Sequence, residues 1–321
     1  EMTSSLVGSE MCIRDSFFDI GRGQDKNKDL RRTAQRYFDE FKRWARIQNT
    51  LVVYTDSDSA EIIKGIRAEY GLGEKTIIIQ IDNLFELVPG LLPKLEKISH
   101  NKDFLNFRYL PEASSNNPKY DYLWMMKYYF MNDAYERGLL SENVVWMDFG
   151  FDHGGITYSD AGDYNFLWKY DFKNKIHISC LHDPDSVIGL QSLQFQDDCV
   201  MGCMYGLSRE LVPTFWHLVE DAMNALLMLD CMDDDQQLVL MAYKARPEIF
   251  EVHVTDWQMI MKEMGATHMK VREKLPMQAQ AENPYKKMLR IAVRKIVPNK
   301  NDPKHAFAKR CYNAAIRVYG K

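Results

Sequence analysis

Two acids and a histidine follow a short apolar run, and they are the residues in this chain best placed to do chemistry. The run is Val-Val-Trp-Met at 144–147, and Asp148, Asp152 and His153 follow it among several glycines. An apolar run of this length, bounded by turn-forming residues, predicts a buried strand with Asp148 at its carboxyl end. Ligands of open α/β sheets bind beyond the carboxyl ends of the strands. The pattern therefore makes Asp148 the first candidate for a binding site.

Two basic residues have neighbours that favour phosphate binding. Arg22 lies between two glycines and shortly after Asp19. A guanidinium there can contact phosphate oxygens in a bidentate manner, and glycine lets the backbone come close. Lys127 is the one cation in the apolar middle, 123–131, of a predicted helix. Lys127 either reaches solvent or points into the pocket and holds a diphosphate. For Arg22 the alternative is a position in a surface turn, exposed to solvent.

Acids also end two other predicted strands and open a helix. Asp56 and Asp82 each follow a short apolar strand, and parallel strands would bring both to one edge of the sheet, where a ribose or base binds. Capping of the next helix is the alternative for Asp56. The acids at 233–235 precede Gln236 at the start of a predicted helix. The helix dipole alone would favour acids at that position.

The elements that position these residues alternate between strands and helices. The strands before Asp56 and Asp82 enclose a helix at 60–70, and a long helix at 122–137 precedes the strand before Asp148. This order predicts a parallel sheet with helices packed on it. Further short strands are predicted at 166–172, 176–181, 199–206 and 249–254. The predicted fold class is α/β: a single domain with a mostly parallel central sheet flanked by helices.

The composition limits the function classes. The chain has 321 residues, 46% of them hydrophobic, and a formal charge of -4, so it can bury a large core and is not a globally basic nucleic-acid binder. Residues 284–321 hold eleven Lys or Arg and one Asp, about +10 by formal charge. We expect 283–321 to form a basic helical tail that contacts an anionic membrane surface or packs on the domain.

The six cysteines form no CxxC pair, and reduced core thiols are the expected state. No run approaches the roughly 20 apolar residues of a membrane-spanning helix. The expected location is cytoplasmic, with a peripheral position at the inner face of the membrane if the tail binds there. Residues 1–16 fit nothing that follows and resemble an in-frame translation of sequencing adaptor. We therefore exclude them from the predicted fold and expect that a strand leading into Phe17 is lost or overwritten.

Five segments together resemble one known family. They read FFDIGRG at 17–23, LVVYT at 51–55, WMMK at 124–127, VVWMDFG at 144–150 and DDDQQLVLMAYKARPEIFEVH at 233–253. In order and spacing they are similar to the HtrL/YibB (WlaTC/HtrL) family of bacterial glycosyltransferase-like proteins, over roughly residues 17–255. The resemblance implies a GT-A-like nucleotide-sugar-binding domain at 17–282. It also implies sugar transfer to a surface glycan or lipooligosaccharide acceptor.

The resemblance further implies a divalent ion, Mn²⁺ or Mg²⁺, that would stabilise the departing diphosphate. GT-A enzymes usually supply its carboxylates in a DxD motif. The matching place here reads Asp148-Phe149-Gly150, so the second acid is missing. Asp152 could replace it after a bend at Gly150, and His153 or His253 could complete the set of ligands.

The acids at 233–235 match the acceptor side of many GT-A enzymes. Asp234 or Asp235 would then deprotonate the acceptor hydroxyl, and Gln236 would orient a sugar. Asp19, Arg22, Asp56 and Lys127 remain the candidates for contacts with the nucleotide sugar.

Two other functions remain open. A non-catalytic GT-A-like domain that binds a carbohydrate or nucleotide in envelope assembly is consistent with the missing acid. A metal-dependent phosphohydrolase would use Asp148, Asp152 and His153. A protein kinase and a Rossmann dehydrogenase are excluded because the chain lacks a GxGxxG loop. Nucleic acid is not an expected partner because the basic tail carries few aromatic residues.

Overall fold

The computed structural model describes residues 11–24, 31–108, 116–196, 198–257 and 259–272. Within them a seven-stranded sheet is covered by helices. The strands are β1 Met11–Phe17, β2 Leu51–Thr55, β3 Thr76–Gln80, β4 Asn143–Met147, β5 Ile176–Cys180, β6 Met204–Ser208 and β7 Phe250–Val254. The helices are α1 Ala34–Trp44, α2 Ser57–Glu69, α3 Leu91–Ser99, α4 Lys102–Phe107, α5 Pro118–Glu136, α6 Gly189–Phe195, α7 Val212–Met228, α8 Asp235–Ala245 and α9 Ile260–Glu263.

The strand order in the sheet is β3-β2-β1-β4-β6-β5-β7. All neighbouring strands are parallel except β6, which runs antiparallel to both β4 and β5. The predicted fold class, a mostly parallel sheet flanked by helices, is confirmed. The reversal at β6 matters for the site, because the carboxyl end of β4 lies beside the amino end of β6.

Alternate residues of the strands fill two hydrophobic cores, one on each face of the sheet. Val144 and Trp146 of β4 belong to the core that α3, α5, α7 and α8 cover. Val145 and Met147 belong to the core that includes residues of α1, α2 and α9. Burial on both faces explains why β4 reads as a continuous apolar run.

Two predicted strands differ from the structure. Residues 166–172 form no strand, because their backbone pairs with a side chain: the amide of Asn49 donates to the Trp168 carbonyl and its Oδ1 accepts from the Trp168 N–H, both at 2.7 Å. The strand predicted at 199–206 begins at Met204. Gly202 therefore lies in the turn before it.

The exclusion of residues 1–16 is corrected for 11–16, since β1 is an interior strand of the sheet and pairs with β2 and β4. A strand leading into Phe17 is present, and it is made of the residues that the prediction set aside. Arg14 and Asp15 are fully buried in it. Within the described chain, Arg14 Nε and Asp15 Oδ2 find no hydrogen-bond partner. The adaptor origin of this segment stays a prediction.

The described domain ends at Arg272, and the predicted basic tail at 283–321 lies outside the described residues. None of the helices in the described ranges is long and apolar enough to cross a membrane.

Candidate functional site

A cavity of about 570 Å³ opens where β1 and β4 end. Its walls come from the end of β1, the loop after β4, the turn before β6, the first turns of α1 and α8 and the first three turns of α5. The predicted site residues that line it are Asp19, Arg22, Lys127, Asp148, Asp152, His153, Asp234, Asp235 and Gln236. A cavity of this size fits a nucleotide-sized ligand.

Asp148 directly follows β4 and lines the cavity. Its backbone N–H donates to the Cys203 carbonyl at 2.9 Å, which extends the β4–β6 pairing by one residue. The indole N–H of Trp146 donates to Asp148 Oδ1 at 2.8 Å, and 18% of the Asp148 side chain stays exposed. Burial raises the pKa of Asp148 to about 6, although Lys127 opposes the increase.

Lys127 on α5 lies between two carboxylates. Its Nζ is 2.7 Å from Asp148 Oδ1 and 2.8 Å from Asp235 Oδ2, and it also donates to the Gly202 carbonyl at 2.9 Å. Burial disfavours the charged amine, but the two carboxylates outweigh it and raise the pKa of Lys127. The prediction left open whether this lysine reaches solvent or the pocket. It lines the cavity and is only 3% exposed.

Asp235 is the first residue of α8 and is almost fully buried. The Tyr205 hydroxyl donates to its Oδ2 at 3.1 Å. Burial raises the pKa of Asp235, and Lys127 acts against the increase. Because protein groups already surround its carboxylate, Asp235 is less accessible to an acceptor than its neighbour Asp234.

Asp234 caps α8, since its Oδ1 accepts from the Gln236 N–H at 3.2 Å. Both residues are half-buried and line the cavity. Asp233 points elsewhere: it is buried and lies 3.1 Å from Arg108. The three consecutive acids therefore have different surroundings. Asp234 lines the cavity, Asp235 pairs with Lys127, and Asp233 pairs with Arg108.

Cationic and aromatic side chains also line the cavity. The guanidinium of Arg22 donates to the Tyr37 hydroxyl at 2.6 Å and lies 4.6 Å from the centre of the Tyr120 ring. Arg32 lies 3.3 Å from His153 Nδ1. Burial, together with the charge of Arg32, lowers the pKa of His153. A neutral imidazole accepts a hydrogen bond from Arg32 and adds no charge of its own. The positive charges of Arg22 and Arg32 are therefore available to an anionic ligand.

Asp152 holds its own loop together. Its Oδ1 accepts from the N–H groups of Thr157 and Tyr158 at 2.6 and 3.0 Å, and its Oδ2 accepts from the Tyr164 hydroxyl at 3.2 Å. Its backbone has a left-handed φ of 64°, a conformation that Asp tolerates better than most residues. The contacts of Asp152 are therefore those of a loop-stabilising residue.

Two other predicted residues lie away from the cavity. His253 is on β7, three strand positions from β4, on the order of 14 Å at the usual strand spacing. Its Nε2 is 2.8 Å from His177 Nδ1. Asp56 caps α2 through a bond from the Ser59 N–H to its Oδ1 at 2.8 Å. The capping alternative for Asp56 is thus observed, and neither residue lines the cavity.

The predicted metal ligands Asp148, Asp152 and His253 can now be compared with the needs of a divalent ion. Within the described ranges no three His, Cys, Asp or Glu side chains converge on one point. Asp148 faces the cavity, Asp152 is bonded to its loop and His253 is remote, so the three do not fit as a set. The binding of Mn²⁺ or Mg²⁺ itself stays a prediction.

Trp146, Trp124 and Tyr205 were not among the predicted site residues. Trp146 is two residues from Asp148 on a strand and therefore shares its face. Trp124 is one helical turn before Lys127, and its ring centre lies 3.3 Å from Nζ. These two spacings were readable signals. Tyr205 contacts Asp235 through tertiary folding alone, and no local pattern marks it.

Comparisons with known proteins find similarity over most of the chain. The family model described as "Bacterial protein of unknown function (HtrL_YibB)" matches residues 9–264. Protein HtrL of Escherichia coli (strain K12) is 27% identical over 258 residues, which are 76% of this chain and 88% of that protein. The apo crystal structure of mouse xyloside xylosyltransferase 1 aligns with 76% of this chain and 85% of its own, at 12% identity and a TM-score of 0.36.

Proposed function

The chain belongs to the HtrL_YibB family, and we propose that it is a glycosyltransferase with a GT-A-like domain. It would move a sugar from a nucleoside-diphosphate sugar to a glycan or glycolipid acceptor. The observation that carries the proposal is the cavity itself, which is lined by the carboxylates of Asp148 and Asp234 and by the guanidinium groups of Arg22 and Arg32. The carboxylates suit an acceptor hydroxyl, and the guanidinium groups suit a diphosphate.

The reaction gives the carboxylates and the arginines different tasks. The bond between the anomeric carbon and the diphosphate oxygen breaks, and its electron pair leaves with the diphosphate. The acceptor oxygen bonds to the anomeric carbon, and its proton passes to a carboxylate. Arginine matches phosphate oxygens in a bidentate manner, so Arg22 and Arg32 would neutralise the leaving group. Asp234 would take the proton, because it is half-buried and lines the cavity.

The aromatic lining supports a ligand with flat faces. Tyr37, Tyr120, Trp124 and Trp257 all line the cavity, and Trp257 is 41% exposed. Aromatic rings bury large apolar areas against a base or a sugar face. A surface glycan or lipooligosaccharide as acceptor, and an anionic membrane as docking surface for the tail, rest on the motif resemblance and the charge of 284–321 alone.

The test is a thermal-shift screen of nucleoside diphosphates and their sugars with and without Mn²⁺. A ligand that binds only the folded state raises the melting temperature by mass action. We expect one nucleotide class to raise it, and Arg22→Ala or Asp148→Ala to abolish the increase. The matched control is Asp58→Ala, an exposed first-turn acid of α2, which should respond like wild type.

Turnover separates transfer from binding. The responding nucleotide sugar should be hydrolysed slowly by the wild-type protein and at least ~100-fold more slowly by Asp148→Ala, a loss comparable to removal of one catalytic electrostatic group. A melting shift without turnover, even with candidate acceptors present, would instead favour the non-catalytic binding function. Release of phosphate from simple phosphoesters would favour the phosphohydrolase.

A further inference from the structure

Three oxygen atoms converge on the ammonium group of Lys127. Asp148 Oδ1, Asp235 Oδ2 and the Gly202 carbonyl lie 2.7, 2.8 and 2.9 Å from Nζ. A lysine ammonium has three N–H donors and no more. All three are therefore used by the protein, and Lys127 has no donor left for a phosphate. The prediction that Lys127 itself holds the diphosphate does not fit this geometry.

An aromatic ring also packs against the ammonium. The Trp124 ring centre lies 3.3 Å from Nζ, and that of Trp146 lies 6.0 Å away. A cation over an aromatic face is stabilised most when it is desolvated, and the Lys127 side chain is only 3% exposed. Lys127 is thus a fixed cation, held by three oxygen atoms and packed against an aromatic ring.

The same three oxygens would form a donor set for a divalent ion if the ammonium were absent. Carboxylate and carbonyl oxygens are the ligands that hard cations prefer. With Lys127 in place, an ion at Asp148 would meet a positive charge bonded to the same carboxylate. No compensating ligand comes from Asp152, which is bonded to its loop, or from His253, which does not line the cavity.

We infer that Lys127 occupies the position of the divalent ion in this site and that the donor binds without a metal. Lys127 is a positioning residue in this scheme: it fixes Asp148 and Asp235 and leaves the trio with a net charge of -1. Arg22 and Arg32 then supply the charge that faces the diphosphate. That the nucleotide sugar binds without a metal rests on the proposed function. That Lys127 occupies the position of the divalent ion does not.

The first experiment measures Mn²⁺ binding to the full chain without nucleotide, by electron paramagnetic resonance of free Mn²⁺. Wild type should show no site that depends on Asp148. Lys127→Ala removes the ammonium and leaves its three oxygen partners, so it should gain one Mn²⁺ site at least ten-fold tighter than any in wild type. Lys127→Ala combined with Asp148→Asn should lose that site, and Lys119→Ala, an exposed lysine of the same helix, should behave like wild type.

Stability gives a second readout, because Lys127→Ala leaves two buried carboxylates without their cation. Mn²⁺ should raise the melting temperature of Lys127→Ala and not that of wild type. If Lys127→Ala folds only with Mn²⁺, the inference is supported directly. If it folds under neither condition, the wild-type titration decides. A stoichiometric Mn²⁺ site in wild type that Asp148→Asn removes would overturn the inference.

Melting experiments with nucleotide distinguish a failure of this inference from a failure of the proposed function. Wild type should give the same melting shift with its nucleotide in EDTA and in Mn²⁺, whereas Lys127→Ala should respond only with Mn²⁺. A wild-type shift that requires Mn²⁺ would overturn the inference. If no nucleotide shifts any form of the protein, the proposed function fails, and the Mn²⁺ titrations still decide the role of Lys127.

Discussion

The carboxylate of Asp235 packs directly against the Cα of Gly202, so closely that a Cβ atom at position 202 would lie 2.7 Å from Oδ2. A methyl group there must displace Asp235 or the turn before β6. Since Lys127 bonds to both residues, we expect Gly202→Ala to reduce nucleotide-sugar turnover at least ten-fold. It should also cost about 1–3 kcal/mol of unfolding free energy, as overpacking usually does. Urea denaturation and hydrolysis assays measure the two effects.

Gly65 provides the control for this substitution. It is an exposed glycine within α2, and a Cβ atom there would meet nothing within 4 Å. Alanine is favoured over glycine in a helix, so Gly65→Ala should stabilise the protein by about 0.4–1 kcal/mol and leave turnover unchanged. Equal effects at the two positions would contradict the close packing of Asp235 on Gly202.

The pKa of Asp148 predicts a pH dependence of donor binding or turnover. Burial raises this pKa to about 6, so the carboxylate is protonated below that pH and ionised above it. If the ionised form is required, turnover rises through about pH 6, and Asp148→Asn should be slow at every pH between 5 and 8. Burial also raises the pKa of Asp233 to about 7, so Asp233→Asn is the necessary comparison. A step that disappears in Asp233→Asn would assign the dependence to Asp233.

Asp152 distinguishes a loop-stabilising role from a metal-ligating role. Asparagine keeps an acceptor for the N–H groups of Thr157 and Tyr158 and tolerates the left-handed backbone. Asp152→Asn should therefore lose less than about 1 kcal/mol of unfolding free energy, whereas Asp152→Ala should lose about 1–3 kcal/mol because it leaves those N–H groups without a partner. Turnover that falls as far in Asp152→Asn as in Asp148→Ala would instead place Asp152 among the ligand-binding residues.

Part of this site was readable because its signals are local. Asp148 ends an apolar run, and that pattern alone predicted its position at the carboxyl end of β4. The contact between Lys127 and Asp235 joins residues 108 positions apart, and helical periodicity cannot reveal such a pair. His253 was predicted, as an alternative to His153, to complete the metal ligands with Asp148. The strand order decided otherwise, and strand order depends on tertiary packing that a single sequence does not encode locally.

Asp15 in the interior strand β1 predicts a stability that falls with increasing pH. Burial, followed by repulsion from Asp148, raises its pKa well above the ordinary value, so the folded state holds this proton more tightly than the unfolded state does. The stability that this proton contributes is present in acid and is lost as pH rises from about 4, the ordinary pKa of aspartate, towards the folded pKa. Asp15→Asn has no proton to lose, and it should be about 1–3 kcal/mol more stable than wild type at pH 8.

The gain in Asp15→Asn should shrink towards pH 4.5, as measured by urea denaturation at both values. Asp58→Asn, which changes an exposed acid, should show no such difference between the two pH values. A gain of the same size at both would mean that the substitution acts through packing and not through the proton of Asp15.

The interior position of β1 also constrains the order in which the chain can fold. Ile13 pairs with Leu51 on one side and with Val145 on the other, so β1 is synthesised before both of its partner strands. At ~5–20 residues per second, the ribosome needs on the order of ten seconds to reach β4. Sheets with such distant pairings fold slowly. Until β4 is synthesised, the backbone groups on one edge of β1 are unpaired and can bond to other chains. We therefore expect the nascent chain to bind chaperones.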